Sequence, residues 1–142
     1  MKKVFYAVSL LLGLSVLFSS CEKSGKNEES FIVGNWTYED WGGYGVDEYL
    51  EYTNTGRVKV YWNADYKIYG DATFKDGVLS YPGEWELDYV YDYYFEDGLY
   101  WDEEYETCEF EIINKDKFSL SWTNSKGNRM TETFVRIKKF TK

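Results

Sequence analysis

Beyond residue 30 the chain alternates apolar and polar side chains with a period of two. The alternation is clearest over residues 57–62, 84–91 and 117–123, where aromatic and aliphatic residues occupy every second position. This pattern is typical of a sheet with one buried and one solvated face. No stretch of three helical turns carries an apolar stripe. The pattern therefore predicts an all-β domain.

Short turn sequences separate the alternating runs, for example Asn54-Thr55-Gly56 and Lys75-Asp76-Gly77. Such residues connect neighbouring strands in hairpins. The longest break, residues 96–105, is predicted to be a loop at the mouth of a barrel. The predicted strands cover residues 32–38, 48–53, 57–63, 67–74, 78–81, 84–91, 106–113, 117–123 and 129–137. Eight or nine short strands favour an up-and-down antiparallel barrel of about eight strands, or a sandwich.

The first 20 residues follow a different pattern. Two lysines precede an apolar stretch over residues 4–18, and two serines then lead to Cys21. This order predicts a cleaved secretory signal peptide and not a membrane-spanning helix. Residues 17–21, Leu-Phe-Ser-Ser-Cys, resemble the lipobox of bacterial lipoproteins. The resemblance implies that Cys21 carries the lipid, palmitate included. The alternative is an ordinary secreted protein with a free thiol at Cys21.

The predicted organisation has three parts. Residues 1–20 are the signal peptide, residues 21–30 are the lipidated cysteine with a flexible tether, and residues 31–142 are the barrel domain. The tether prediction rests on the polar, charged and glycine residues that follow Cys21. Lipid chains anchor a protein to a membrane without a spanning segment. We therefore expect a lipid-anchored protein of the outer membrane, facing the periplasm or the cell surface.

Composition and charge exclude several classes of function. The chain has 16 basic and 25 acidic residues, a formal net charge of −9, and no histidine. The acidic balance predicts no nucleic-acid partner, because such binding depends on clustered Lys and Arg. Without histidine there is no Ser-His-Asp triad and no imidazole metal site. Paired carboxylates could serve a glycosidase, but the consecutive Asp102, Glu103 and Glu104 are expected to point apart. We therefore predict a protein that is not an enzyme, with no catalytic residue, metal or other cofactor.

A second resemblance concerns the barrel domain itself. Residues 31–36, Phe-Ile-Val-Gly-Asn-Trp, resemble the Gly-x-Trp opening strand of lipocalins, and the order of the later segments is similar to that of lipocalin-like bacterial lipoproteins. The resemblance implies a barrel signature made of Gly34, Trp36 and Arg136, with the Arg136 guanidinium packed over the Trp36 indole. The alternative for Arg136 is a solvated surface charge. The resemblance also implies a small apolar or amphipathic ligand inside the barrel.

The alternation predicts which side chains line that interior. The candidate ligand-binding residues are Trp62, Trp85, Leu87, Phe110, Trp122 and Phe134. The same side chains would equally form a filled core without a ligand. Cys108 alternates in phase with Phe110, which favours a buried small hydrophobe over a nucleophile. With Cys21 lipidated, no intrachain disulfide is expected.

An acidic and aromatic segment offers a different kind of site. Residues 84–111 contain twelve acidic residues and neither Lys nor Arg, and they are rich in Tyr and Trp. Tyr100 and Trp101 are the candidate interaction surface, either for an outer-membrane protein partner or for a surface glycan. The alternative is that neighbouring strands pair opposite charges on their solvated faces. The spacing of the acidic residues does not match a calcium-binding loop.

Overall fold

The computed structural model describes residues 24–40, 45–64, 71–103 and 106–142, so the predicted signal peptide and Cys21 lie outside the described residues. The described elements are one helix and eleven strands: α1 (Ser24–Ile32), β1 (Gly34–Tyr38), β2 (Glu48–Tyr52), β3 (Arg57–Asn63), β4 (Thr73–Lys75), β5 (Val78–Ser80), β6 (Trp85–Glu96), β7 (Leu99–Asp102), β8 (Glu106–Asn114), β9 (Lys117–Thr123), β10 (Arg129–Arg136) and β11 (Lys139–Thr141). Within these ranges no helix is long and apolar enough to cross a membrane.

Eight antiparallel strands form one sheet that closes on itself, in the order β1-β10-β9-β8-β7-β6-β3-β2. Closure depends on β1, where Trp36 lies opposite Leu50 of β2 on one side and Arg136 of β10 on the other. Neighbours in the sheet are neighbouring barrel strands along the chain except where β6 pairs with β3, with β4 and β5 between them along the chain, and where β1 pairs with β10 to close the ring. The prediction of an all-β, up-and-down antiparallel barrel is therefore confirmed.

A three-stranded sheet lies outside this barrel, in the order β11-β5-β4, with β11 parallel to β5. It encloses a second apolar cluster, separate from the barrel core. The cluster comprises Val46, Ala72, Leu79, Tyr81 and Ile137, with Tyr49, Phe74 and Trp85 packed against it. The strand predicted over residues 78–81 thus belongs to an outer layer and not to the barrel wall.

The predicted mouth loop over residues 96–105 is largely a hairpin. Strand β6 continues to Glu96, and β7 returns from Leu99 to Asp102. Asp97 and Gly98 both have positive φ, 52° and 79°. Two such residues form the tight turn whose twist matches that of the flanking strands. The loop prediction was wrong because an Asp-Gly pair needs no further residues to reverse the chain.

Helix α1 replaces most of the predicted flexible tether. Its last two residues are apolar: Ile32 is buried, and the ring of Phe31 lies 5.5 Å from that of Trp36. Short helices are stabilised mainly by tertiary packing, and this contact supplies it. Helix α1 packs at the end of the barrel that carries Trp36, Arg136 and the turn at residues 53–56; we call this the closed end.

Candidate functional site

The predicted interior residues divide into two groups. Phe134 is fully buried in the barrel core, and Phe110 and Trp122 pack against that core while partly exposed. Trp62 lies in phase with the buried Val60 on β3 and is also partly buried. These four residues lie on the inner wall, as the alternation predicts.

Trp85 and Leu87 are not on the inner wall, which corrects the prediction for both. Val60 pairs with Tyr89, but the next residue of β3, Tyr61, pairs with Leu87, so Asp88 is an extra residue on β6. Such a β-bulge reverses the side on which the following side chains lie. Trp85 therefore packs in the second cluster, and Leu87 is 52% exposed.

The described inner wall encloses a filled core. Its buried side chains are mostly large: Ile32, Trp36, Leu50, Tyr52, Val58, Val60, Tyr91, Tyr93, Tyr100, Cys108, Phe118, Leu120 and Phe134. The Tyr100 hydroxyl donates to the Tyr52 hydroxyl at 3.2 Å, and the rings of Tyr93 and Tyr100 stack with centroids 5.8 Å apart. Large side chains thus pack against one another through this part of the interior.

Burial sets the protonation of this interior. Desolvation raises the pKa of Tyr100 well above its ordinary value and raises that of Tyr52 as well. Desolvation, with smaller contributions from the Asp102 and Glu132 carboxylates, raises the pKa of the Cys108 thiol to about 12. A reactive cysteine requires the opposite shift. The interpretation of Cys108 as a buried small hydrophobe is therefore confirmed.

The closed end brings together the three residues of the predicted barrel signature. The Arg136 guanidinium lies 4.1 Å from the centroid of the Trp36 ring, as the resemblance implied. It donates to the carbonyl oxygens of Phe31 at 2.7 Å and Val33 at 3.0 Å. Gly34 has φ 139°, and a Cβ there would lie 2.7 Å from Arg136 Nη1. Only glycine fits this position without displacing the guanidinium.

These contacts also tie helix α1 to the barrel. Arg136 donates to the main-chain oxygens of Phe31 in α1 and of Val33, the residue between α1 and β1, and the Trp36 Nε1 donates to the Ile32 oxygen at 2.7 Å. Burial lowers the pKa of the Arg136 guanidinium, and the Asp116 carboxylate opposes that shift. The signature residues thus have a structural role at this end.

The hairpin of β6 and β7 presents an aromatic pair on the outer wall. Tyr94 lies directly opposite Trp101, and their rings are parallel within 5° with centroids 6.2 Å apart. Tyr94 is 54% exposed, and Trp101 is partly exposed. Trp101 is therefore on the surface as predicted, whereas Tyr100 is fully buried and its assignment to the surface was wrong. We call Tyr94 and Trp101 the outer aromatic pair.

A cleft of about 860 Å³ adjoins the outer aromatic pair at the closed end, between α1, the turn at residues 53–56 and β6. Its walls carry hydroxyl, amide and carboxylate groups, and two consecutive tyrosines of β6 border it. The lining residues are Glu29, Ser30, Val33, Asn54, Thr55, Gly56, Tyr93 and Tyr94. Tyr94 borders the cleft and belongs to the outer aromatic pair, so the two features meet at this residue, and we call them together the outer site.

Some of the acidic side chains near the outer site are paired with bases of the same sheet, from the neighbouring strand for Asp92 and from across β9 for Glu109. Arg57 Nε lies 3.3 Å from an Asp92 oxygen, and Arg129 Nη2 lies 2.6 Å from a Glu109 oxygen. This is the cross-strand pairing expected of solvated sheet faces. Among the described residues, no three or more Cys, Asp or Glu side chains form a group suited to a metal ion.

Sequence reasoning did not identify Tyr94, Glu29, Asn54 or Thr55. The signal for Tyr94 was present, since strands that continue through an Asp-Gly hairpin would place it out of phase with Tyr93. The cleft residues come from three segments that are 21 or more positions apart, and only the closed barrel brings them together. Comparison with known protein families and with curated proteins finds no match for this chain.

Proposed function

We propose that this protein is a lipid-anchored, non-enzymatic binding lipoprotein that holds its ligand on the outside of the barrel, at the outer site. The observation that carries the proposal is the contrast between the filled interior and the cleft beside Tyr94. Concave sites with a few polar groups and exposed aromatic rings are where proteins most often bind ligands.

The lipid anchor belongs to the same proposal and is supported by the lipobox-like residues 17–21. Helix α1 follows Cys21 after a few residues and lines the cleft through Glu29 and Ser30. A lipid at Cys21 would therefore hold the outer site close to the membrane surface and to molecules displayed there. An interior apolar ligand, the function implied by the lipocalin resemblance, has less support because buried rings occupy the described interior.

The test is site-specific photo-crosslinking in the protein's own membrane, with a benzophenone amino acid in place of Tyr94. Met130 is a matched control, because it is 41% exposed and lies near the opposite end of the barrel. We expect a discrete adduct from position 94 and none from position 130. Benzophenone inserts into C–H bonds, so protein, glycan and lipid ligands are all detected.

Native mass spectrometry of the gently extracted lipoprotein supplies the complementary measurement. We expect bare protein, without a small-molecule adduct that is lost on unfolding. A discrete adduct of that kind, together with no crosslink at position 94, would contradict the proposal and favour an interior ligand.

A further inference from the structure

The outer site combines two features that complement one class of ligand. The outer aromatic pair provides two rings in parallel planes, with Tyr94 more than half exposed. The adjoining cleft provides exposed hydrogen-bonding side chains on Glu29, Asn54 and Thr55. We infer that the outer site binds an oligosaccharide of uncharged or amino-substituted pyranose units. This inference rests on the proposed function, because it names the ligand of the same site.

The aromatic part of the site suits the flat faces of sugar rings. An aromatic ring carries negative charge density on its face. The axial C–H groups of a pyranose are apolar and weakly positive, so they pack against such a face. The Tyr94 and Trp101 rings stack with parallel planes and centroids 6.2 Å apart, and Tyr94 is 54% exposed, so the pair offers a sugar ring the exposed aromatic surface of Tyr94 beside that of Trp101.

The polar part of the site suits sugar hydroxyls. A hydroxyl both donates and accepts, so it requires neighbours of both kinds. The Glu29 carboxylate accepts, the Asn54 amide does both, and the Thr55 hydroxyl does both. All three side chains are exposed around the cleft that Tyr94 borders.

Charge narrows the class of sugar. The cleft lining includes one carboxylate, from Glu29, and no Lys or Arg. Asp92 and Glu96 lie two residues before and after Tyr94, on the same face of β6. Asp92 is paired with Arg57, and the negative potential of Glu29 and Glu96 disfavours uronic acids and sulfated sugars, tolerates neutral sugars and attracts amino sugars.

The same charges make a protein partner the weaker alternative. The centre of a protein–protein interface is depleted of charged residues and surrounds its aromatic anchors with apolar area. Here exposed acidic residues flank the rings at close range, and Asp92 is already paired with Arg57. A solvated surface with two rings and many hydrogen-bonding groups corresponds better to a glycan.

The experiment is isothermal titration calorimetry on the full-chain lipoprotein in a polyoxyethylene detergent, since a glycoside detergent would compete for the site. The probes are cellohexaose, a glucosamine hexamer and a galacturonate hexamer. We expect binding of at least one of the first two and none of the galacturonate. Tyr94→Ala and Trp101→Ala should each weaken that binding about tenfold or more, as for other aromatic anchors.

Tyr89→Ala is the control on the same strand, because Tyr89 is 39% exposed but lies on the inner side of the wall, opposite Val60 and outside the outer site. Its affinity should equal that of the unmodified protein, and Tyr94→Phe should retain binding because the ring remains. Circular dichroism melts confirm that each variant is folded. The inference is overturned if neither neutral nor amino sugar binds, if galacturonate binds best, or if Trp101→Ala binds like the unmodified protein.

These outcomes separate the inference from the proposed function. A protein adduct at position 94 without sugar binding overturns the sugar assignment and leaves the outer site as the place of binding. No crosslink at position 94 and no sugar binding overturn both.

Discussion

Tyr93–Tyr100 and Tyr94–Trp101 are two aromatic pairs on the same two strands, β6 and β7, on opposite sides of the barrel wall. The inner rings lie 5.8 Å apart within 13° of parallel, and the outer rings 6.2 Å apart within 5°. The inner pair is buried and carries the Tyr100 hydrogen bond to Tyr52, whereas Tyr94 is largely exposed. A single step along each strand thus separates side chains that stabilise the fold from side chains available to a ligand.

The sharpest way to break this comparison is to truncate one residue of each pair. Tyr100→Ala should lower the free energy of unfolding by about 3–5 kcal/mol, because it leaves a large cavity in a filled core. Trp101→Ala should lower it by less than about 1 kcal/mol, because its ring is partly exposed on the outer wall. Urea unfolding measures both. Equal losses would mean that the two pairs have the same structural role.

The comparison extends to the closed end, where Arg136 lies at the edge of the barrel and its guanidinium contacts main-chain oxygens and the Trp36 ring. Arg136→Ala should lower the free energy of unfolding by about 2 kcal/mol, because two carbonyl oxygens and the Trp36 ring lose their partner. Arg136→Lys should recover little of this, since an ammonium cannot match the planar fork of the guanidinium. Lys139→Ala, at an exposed position on β11, is the control. Full recovery in Arg136→Lys would show that charge alone suffices.

Inner-wall and outer-wall residues should also differ in how they affect stability at alkaline pH. Desolvation, with a smaller contribution from Glu29, raises the pKa of Tyr93 from 10.0 to about 12. Between these values the folded state retains a proton that the unfolded state has lost, so stability is complete below pH 10 and falls as pH rises toward 12. Tyr93→Phe should make this decline shallower in urea titrations. Trp101→Phe should leave it unchanged, because it removes no titrating group.

The smallest effect is expected on the outer wall itself. Both side chains of the Arg57–Asp92 pair are mostly exposed, and exposed ion pairs contribute little to stability. The double substitution Arg57→Gln, Asp92→Asn should leave the urea midpoint unchanged within error. A clear fall in the urea midpoint would show that this exposed ion pair stabilises the fold.

The sequence predicts the class of fold well because the signal for it is local. A period of two over residues 57–62 and 117–123 identifies strands without knowledge of their partners. The Gly34, Trp36 and Arg136 contact was also anticipated, although from a resemblance and not from the residues alone. These features depend on short-range pattern or on a motif, and both are visible in one chain.

The outer layer and the outer site were less predictable for two physical reasons. The extra Asp88 reverses the phase of β6, so Trp85 and Leu87 were assigned to the wrong face. An alternation of aromatic residues contains no mark of such a reversal, because Tyr and Trp are stable on either face. The cleft depends on α1 packing beside a distant turn, which is a tertiary contact.

Asp88 determines which side chains of strand β6 face each of the two layers. Before it, Trp85 belongs to the layer under the outer sheet; after it, Tyr91 belongs to the barrel core. Deleting Asp88 would reverse the alternation in one half of β6, and that half would then present its rings to the wrong layer. No side-chain substitution restores that phase. The number of residues in β6 is therefore constrained more tightly than their identity. An insertion or deletion in this strand would disturb the packing of both layers.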